Sequence, residues 1–177
     1  MNVVEVTLTL VKDIVTTLGV IAGLTYYYLS VRNQNRSRQA QLMMNLYETY
    51  RSPDFRTNWG QVMDQEYTDF DDYWSKYGGG VNREAWSQWQ SVAAYFHGIG
   101  VLLKEGFIDV NLLDQLLVNI VSASWYQMGP IVIGFRDYTK EGKGRFGRLI
   151  GSHSDRHPQY SGFDYLYDEL QKRDASQ

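Results

Sequence analysis

The sequence predicts an all-α protein in which one N-terminal transmembrane helix continues into a small soluble bundle of about five or six helices. Residues 14–31 form an apolar run without a charged side chain. Farther along the chain, apolar residues recur at spacings of three and four, and no segment alternates convincingly beside hairpin turns. We therefore divide the chain into a short extramembrane segment, a transmembrane helix, a stalk helix and a cytoplasmic helical domain, at residues 1–13, 14–31, 32–51 and 52–177.

The apolar run at 14–31 is long enough to span a bilayer. At about 1.5 Å of rise per residue it covers about 27 Å, close to the roughly 30 Å hydrocarbon core. Tyr26, Tyr27 and Tyr28 lie near its end, where amphipathic rings favour the headgroup layer. A buried core helix and a cleaved signal peptide are the alternatives. The absence of a basic N-terminal region and of a small-residue cleavage site favours an uncleaved anchor.

The charges that flank this run predict its orientation. Arg32, Arg36 and Arg38 follow it, whereas Lys12 precedes it beside Asp13. The positive-inside bias places the larger C-terminal part in the cytoplasm and the N-terminus outside. Arg32 and Arg36, one turn apart, would either contact anionic headgroups together or only fix the topology. The lack of cysteine agrees with a reducing compartment.

One face of the predicted transmembrane helix carries small residues. Thr16, Gly19 and Gly23 form a small-xxx-small pattern, which lets two helix backbones approach closely in lipid. The pattern predicts helix–helix packing, with a chance pair of glycines as the alternative. Residues 1–13 either extend the helix outward or form an extended peptide against a partner.

The remaining helices are predicted from stripes and capping residues. The first, over 33–50, continues from the membrane. A second begins at Ser52-Pro53-Asp54 and ends near Met63. Each of the others has an apolar stripe. The third helix covers 83–105, with Asn82 as its N-terminal cap and Gly106 at its C-terminal end. The fourth is capped by Asp109, is interrupted at Gly129-Pro130 and resumes over 131–139, and the last begins at Ser161.

Residues 95–109 resemble the core pattern of an uncharacterised family of prokaryotic single-pass membrane proteins, a domain of unknown function. The resemblance covers about residues 92–170 of the sequence, and Trp125 and Arg136 match its later tryptophan and arginine. It implies an N-terminal membrane helix followed by a helical cytoplasmic domain. The family has no known activity, so the resemblance implies no catalytic residue.

Three segments carry candidate chemistry. His153, Asp155 and His157 have the residue types of a zinc site but lie between Gly151 and Pro158, so a polar surface loop is favoured. The acidic segment 64–72 lacks the glycine and closing glutamate of a calcium loop. The basic, glycine-rich segment 139–148 fits a flexible connection or contact with lipid headgroups.

No nucleotide-binding, hydrolase or metalloprotease motif is present in the sequence, and a net charge of −3 gives no field that favours nucleic acid. We therefore predict no cofactor and no nucleic-acid partner. The leading hypothesis is a non-catalytic single-pass subunit or scaffold that packs with itself or with a larger membrane complex. The alternatives are a membrane-tethered sensor or defence-type effector whose helical domain binds a ligand or protein, and a metal-dependent hydrolase.

Overall fold

The computed structural model describes residues 2–144 and 158–175, with residues 3–11 described by their backbone alone. Within these residues the chain is helical and contains no strand, which confirms the predicted all-α class. The helices are α1 (Val3–Arg51), α2 (Pro53–Met63), α3 (Phe70–Tyr77), α4 (Arg83–Lys104), α5 (Val110–Lys140) and α6 (Ser161–Asp174).

The chain divides into two compact units within α1, between Gln41 and Leu42. The first unit is the N-terminal part of α1, which includes the predicted transmembrane segment. The second unit holds the end of α1 and helices α2 to α6. Its hydrophobic core includes Met43 of α1, which is fully buried. The predicted stalk, residues 32–51, therefore contributes to both units.

Several predicted helix ends are confirmed by hydrogen bonds. The side chains of Ser52, Asn82 and Asp109 each accept a backbone N–H of the first turn that follows, at 3.2, 3.0 and 2.7 Å. Gly106 has a φ of 73°, the left-handed conformation that closes α4. The backbone N–H of Phe107 then donates to the Leu102 carbonyl. Local capping chemistry thus fixes the bounds of α2, α4 and α5.

Two details differ from the sequence predictions. The acidic segment holds an additional short helix, α3, whose first turn is capped by the Asp69 carboxylate at 2.9 Å. The predicted interruption at Gly129-Pro130 is wrong, since α5 runs through Pro130 without ending. Proline cannot donate to the carbonyl four residues back, that of Tyr126. Tyr126 and Pro130 both lie on the exposed face, where water can satisfy that carbonyl.

Helix α4 lies at the centre of the second unit and packs on α2, α3, α5 and α6. Its closest neighbour is α6, because Gly100 and Gly162 bring the two backbones together. A Cβ atom on either glycine would overlap backbone atoms of the other helix. Around this crossing, the fully buried large side chains of the core are Trp89, Phe96, Ile99, Leu113, Leu117, Met128, Ile131, Phe163, Leu166 and Leu170.

Candidate functional site

The N-terminal part of α1 presents a long, exposed apolar surface. Every residue from Lys12 to Leu29 is exposed. Most of them are apolar, and large side chains such as Leu18 and Leu24 are 61% and 64% exposed. Water solvates such a surface poorly, and apolar area removed from water is worth roughly 25 cal/mol per Å². Covering this surface with apolar groups would therefore be energetically favourable.

Two helices in the described residues are long and apolar enough to cross a membrane, judged by length and composition only. They are Lys12–Arg51 and Val110–Lys140. None of the apolar window of the first is buried, whereas 39% of the second is. Core helices of soluble proteins and signal sequences have the same properties. The burial of α5 is that of a core helix, and the N-terminal helix weakly indicates membrane association.

The predicted packing face of this helix is open. A Cβ atom on Gly19 or Gly23 would meet nothing within 4 Å. The Thr16 hydroxyl donates to the Lys12 carbonyl at 2.8 Å, and Thr17 and Thr25 bond back in the same way. Their polar groups are thus satisfied within the helix, as a lipid environment requires. All of the predicted interface residues are exposed: Tyr26, Tyr27, Tyr28, Arg32, Arg36 and Arg38.

The weak metal-site candidates His153, Asp155 and His157 lie outside the described residues, so the structure does not test them. Among residues 2–144 and 158–175, no three His, Cys, Asp or Glu side chains are grouped as metal ligands. The acidic segment uses its carboxylates locally. Asp72 pairs with Lys76 at 2.8 Å and accepts the Thr68 backbone N–H, and both contacts lower its pKa.

Arg136 joins α5 to the start of α6. Its guanidinium forms a two-point ion pair with Asp164, at 2.5 and 3.0 Å, and its Nε donates to the Gln159 carbonyl at 2.6 Å. Two parallel charge-assisted bonds fix orientation as well as distance. The arginine that matches the resemblance and an acidic residue in the first turn of α6 therefore bind each other. The Arg136 side chain is only 14% exposed, which makes this pair a structural tie.

His97 is a hydrogen-bonded packing residue, as its position at the edge of the α4 apolar face predicts. Its Nδ1 accepts the Gly162 backbone N–H at 2.9 Å. Burial, and then the Arg136 charge, lower its pKa, while Asp164 acts in the opposite direction. A lowered pKa keeps the imidazole neutral, which is the form that can accept this bond. The histidine therefore serves the α4–α6 contact.

A cavity of about 430 Å³ lies where α3, α4 and α5 meet. Its volume falls within the range of small-molecule sites, about 300–1,000 Å³. Aromatic rings form much of its wall, and Gln90, Thr139 and Lys143 supply the polar groups. The full lining comprises Trp74, Gly79, Gly80, Trp86, Gln90, Phe135, Tyr138, Thr139, Lys143 and Gly144.

The aromatic wall of the cavity is tightly braced. Trp74 packs edge-on against Trp86 at 5.1 Å between ring centroids and contacts Tyr138 at 4.8 Å. Trp86 in turn stacks on Trp89 at 5.0 Å, with an interplanar angle of 6°. Phe135 contacts both cavity tryptophans, at 5.8 and 5.0 Å. Each ring is held by at least two others, so the wall is preformed.

Glycines allow the rings and helices to approach one another. A Cβ atom on Gly79 would come within 2.7 Å of Trp86, and one on Gly144 within 3.0 Å of Tyr138. On the same side of the unit, a Cβ atom on Gly134 would overlap the Phe70 ring, which lets α3 approach α5. The glycine run at 78–80 therefore contributes to the cavity wall as well as breaking the chain.

An acidic recess adjoins the aromatic cavity and shares Tyr138 and Lys143 with it. Its volume is about 420 Å³, and its charged groups are four carboxylates and one ammonium. Lys143 pairs with Glu141 at 2.5 Å. Glu141 and Asp71 both raise the pKa of Lys143. With that ion pair neutral, the recess is negative. Its lining is Asp69, Phe70, Asp71, Gly134, Asp137, Tyr138, Glu141 and Lys143.

The sequence did not predict this cavity. Of the tryptophans on α4, Trp89 is fully buried in the core, whereas Trp86 is only partly buried and lines the cavity. Trp125 is half-buried and contacts Phe163 at 5.0 Å. The available signal was the interleaving of acidic and aromatic residues at 64–77, followed directly by three glycines.

Comparison with known proteins found no matching family model, no matching curated protein and no matching solved structure. The resemblance of residues 95–109 to an uncharacterised membrane-protein family therefore stays a prediction. Function must be inferred from the apolar N-terminal helix and from the cavity of the helical unit.

Proposed function

We propose that this protein is a non-catalytic, single-pass membrane subunit or scaffold that packs with itself or with a larger membrane complex. The observation that carries the proposal is the apolar surface of α1 from Lys12 to Leu29, in which every residue is exposed. A bilayer would cover most of this surface. The face formed by Thr16, Gly19 and Gly23 allows another helix backbone to cover the rest.

A second exposed stripe supports association. Leu112, Leu116, Tyr126 and Ile133 of α5 are 36%, 38%, 87% and 52% exposed. Their spacings of 4, 10 and 7 residues place them on one side of the helix. The buried face of α5 is occupied by the core of its own unit. Its outward face is thus available to a partner helix.

The proposed placement is the cytoplasmic membrane, with the N-terminus outside and the helical unit in the cytoplasm. The exposed Arg32, Arg36 and Arg38 support this orientation through the positive-inside bias. Protease treatment of right-side-out and inverted vesicles measures it. Cleavage of the helical unit in right-side-out vesicles would contradict the orientation without affecting the packing proposal.

Packing through the small-residue face is tested with two differently tagged copies of the full chain in mild detergent. Two wild-type copies should co-purify with each other, or a wild-type copy should co-purify with a larger partner. In Gly19→Ile/Gly23→Ile the bulky side chains hold the backbones apart, and co-purification should fall at least tenfold, about 1.4 kcal/mol.

The matched control is Thr17→Ile/Thr25→Ile. At about 100° per residue, these positions lie on the opposite face of the helix, and the substitutions also introduce bulky β-branched side chains. The control should co-purify as the wild type does. Equal loss in both variants would show a general effect on the helix, and a wild-type monomer without a partner in native membranes would reject the proposal.

The second candidate function is a membrane-tethered sensor whose helical unit binds a ligand. The specific observation in its favour is the preformed aromatic cavity of about 430 Å³ between α3, α4 and α5. A purely structural unit has no requirement for a ring-lined recess of that size. A soluble compound that raises the melting temperature of the purified full chain, in the absence of a stable membrane partner, would favour this candidate over the first.

A further inference from the structure

We propose that the aromatic cavity and the adjoining acidic recess form one binding site for a small, water-soluble organic cation. The proposal deepens the second candidate function and rests on it. It is independent of packing by the membrane helix. The occupant is defined by chemistry: a substituted ammonium group held among aromatic rings, with the rest of the molecule extending toward carboxylates.

The aromatic wall fits a cation better than it fits a neutral apolar group. A ring carries negative charge density on its faces, so it attracts a cation within about 6 Å of its centroid, and tryptophan does so most strongly. Trp74 and Trp86 both line the cavity and lie nearly perpendicular to each other, at 81°. Tyr138, tilted by 45° from Trp74, adds a third wall. Trp89 stacks on Trp86 and Phe70 stacks on Trp74, so a cation in the cavity would lie against the ring surfaces that these contacts leave uncovered.

The charges around the site select the sign of the ligand. Asp71 and Asp137 are exposed carboxylates in the recess, and Asp69 and Glu141 add two more. Lys143 is the one cationic side chain in either described lining, and its ammonium contacts Glu141 at 2.5 Å. The C-terminal end of α5, which bears Tyr138 and Thr139, adds partial negative charge from its peptide dipoles. Within the described lining, an anionic ligand would face four carboxylates and one ammonium.

The polar contacts available in the cavity fit a cation with a short polar tail. Gln90 lies on α4 one turn beyond Trp86, and its amide, which hydrogen-bonds Tyr160, has further donor and acceptor capacity. The Thr139 hydroxyl donates to the Arg136 carbonyl at 2.9 Å, so it is left as an acceptor for a ligand hydroxyl or amine. Neither group carries charge. The cavity therefore supplies rings and neutral polar atoms, and the recess supplies the charge.

The test uses the full-length protein in uncharged detergent at low ionic strength, with tryptophan fluorescence and calorimetry as readouts. Choline is the cationic probe. Its uncharged carbon analogue, in which a carbon atom replaces the nitrogen, is the matched probe of the same shape. Choline should bind and change the fluorescence of Trp74 and Trp86, and the analogue should bind at least tenfold more weakly, since only the cation gains from rings and carboxylates.

Two charge variants provide the sharpest control because both positions are exposed. Asp137→Asn should weaken choline binding by about threefold or more, and Lys143→Gln should strengthen it by a similar factor. Glu105→Gln, at the end of α4 and 15 residues beyond Gln90, removes the same charge about 22 Å away and should change nothing. Trp74→Leu should abolish binding, and the charge variants keep the test valid if that variant does not fold.

Three results would overturn the proposal: equal binding of choline and its uncharged analogue, no binding of either, or tighter binding of benzoate than of choline. Phosphocholine separates a soluble base from a lipid headgroup. The carboxylates should repel its phosphate, so it should bind more weakly than choline, and tighter binding would assign the site to a headgroup instead. None of these outcomes depends on whether copies co-purify through Gly19 and Gly23. Failure of the cation-site proposal can therefore be distinguished from failure of the helix-packing proposal.

Discussion

His97 shows how one residue of the core can make stability depend on pH. Its Nδ1 accepts the Gly162 N–H, and burial lowers its pKa from the ordinary value of 6.5. The unfolded chain therefore binds a proton more readily than the folded chain does. The stabilisation is fully present above pH 6.5 and is lost as the pH falls toward the lowered pKa of the folded state.

We therefore predict that the free energy of unfolding of the full chain decreases as the pH falls below 6.5. His97→Asn keeps an acceptor oxygen near the Nδ1 position but cannot titrate, so this part of the pH dependence should disappear. Denaturant unfolding of both proteins between pH 5 and 8 measures the difference. His153 and His157 are present in both, so an unchanged pH profile would show that His97 is not the titrating group.

At the residue scale, Arg136 and Asp164 show that a sequence pattern can single out a residue without showing which contacts that residue makes. The resemblance singles out Arg136, whereas Asp164 lies three residues after Ser161, where the last helix opens. In the structure the two side chains bind each other across α5 and α6. Their sequence separation of 28 residues exceeds any local rule, so the pair could not be read from either motif.

At the scale of elements, the crossing of α4 and α6 depends on a pair of glycines. Gly100 and Gly162 are buried, and each would place a Cβ atom on the backbone of the other helix. Gly98, two residues earlier on α4, has nothing within 4 Å of an added Cβ atom. The two residues are therefore chemically identical, but there is space for an added Cβ atom at Gly98 and none at Gly100.

Gly100→Ala should force α4 and α6 apart and lower the free energy of unfolding by about 3 kcal/mol, the upper part of the range for overpacked cores. Gly98→Ala should raise it by roughly 0.5–1 kcal/mol, because alanine loses less backbone entropy in a helix. Thermal and denaturant unfolding of the full chain measure both. A tolerated Gly100→Ala would contradict the close crossing.

Helix α5 illustrates a second point about elements. Proline inside a helix ordinarily ends or kinks it, which is why an interruption at Gly129-Pro130 was expected. Tertiary contacts outweigh that local cost, since residues on both sides of Pro130 are buried in the core. These buried residues include Val121, Ser124, Met128, Ile131, Val132 and Phe135. The carbonyl that loses its donor belongs to the exposed Tyr126.

At the scale of the whole molecule, the proposed distribution of the protein between the membrane and the aqueous phase depends on the N-terminal helix. Ile21 is 55% exposed and lies near the middle of the 14–31 run. A central arginine costs about 3 kcal/mol more than isoleucine on insertion into a bilayer. Val31, at the end of the run, can instead direct a long cationic side chain to the headgroups.

Ile21→Arg should therefore shift a substantial fraction of the protein to the soluble or aggregated fraction, while Val31→Arg should remain in the membrane. Alkaline extraction of isolated membranes, followed by detection of the chain in pellet and supernatant, compares the two. Equal retention of both variants would indicate that the helix does not cross the bilayer, whereas equal release would point to loss of folding.

What the sequence determined on its own are the features with local causes. The apolar run 14–31 needs no tertiary contact to be recognised. The caps at Ser52, Asn82, Asp109 and Gly106 act within a few residues of themselves, so they predicted helix ends that the structure has. The apolar stripe of α4, whose last members are Ile99 and Leu103, likewise follows from the helical period.

Only the tertiary structure decided how these helices come together. The cavity joins Trp74, Trp86 and Tyr138 from three helices, and the acidic recess joins Asp71 to Asp137, which are 66 positions apart in the sequence. The positions of the rings and charges at that junction depend on which glycines let the helices approach each other closely. The spacing of a glycine in the sequence does not show which residues will be its neighbours in the fold. Local propensity fixed the elements, and contacts between distant residues created the site.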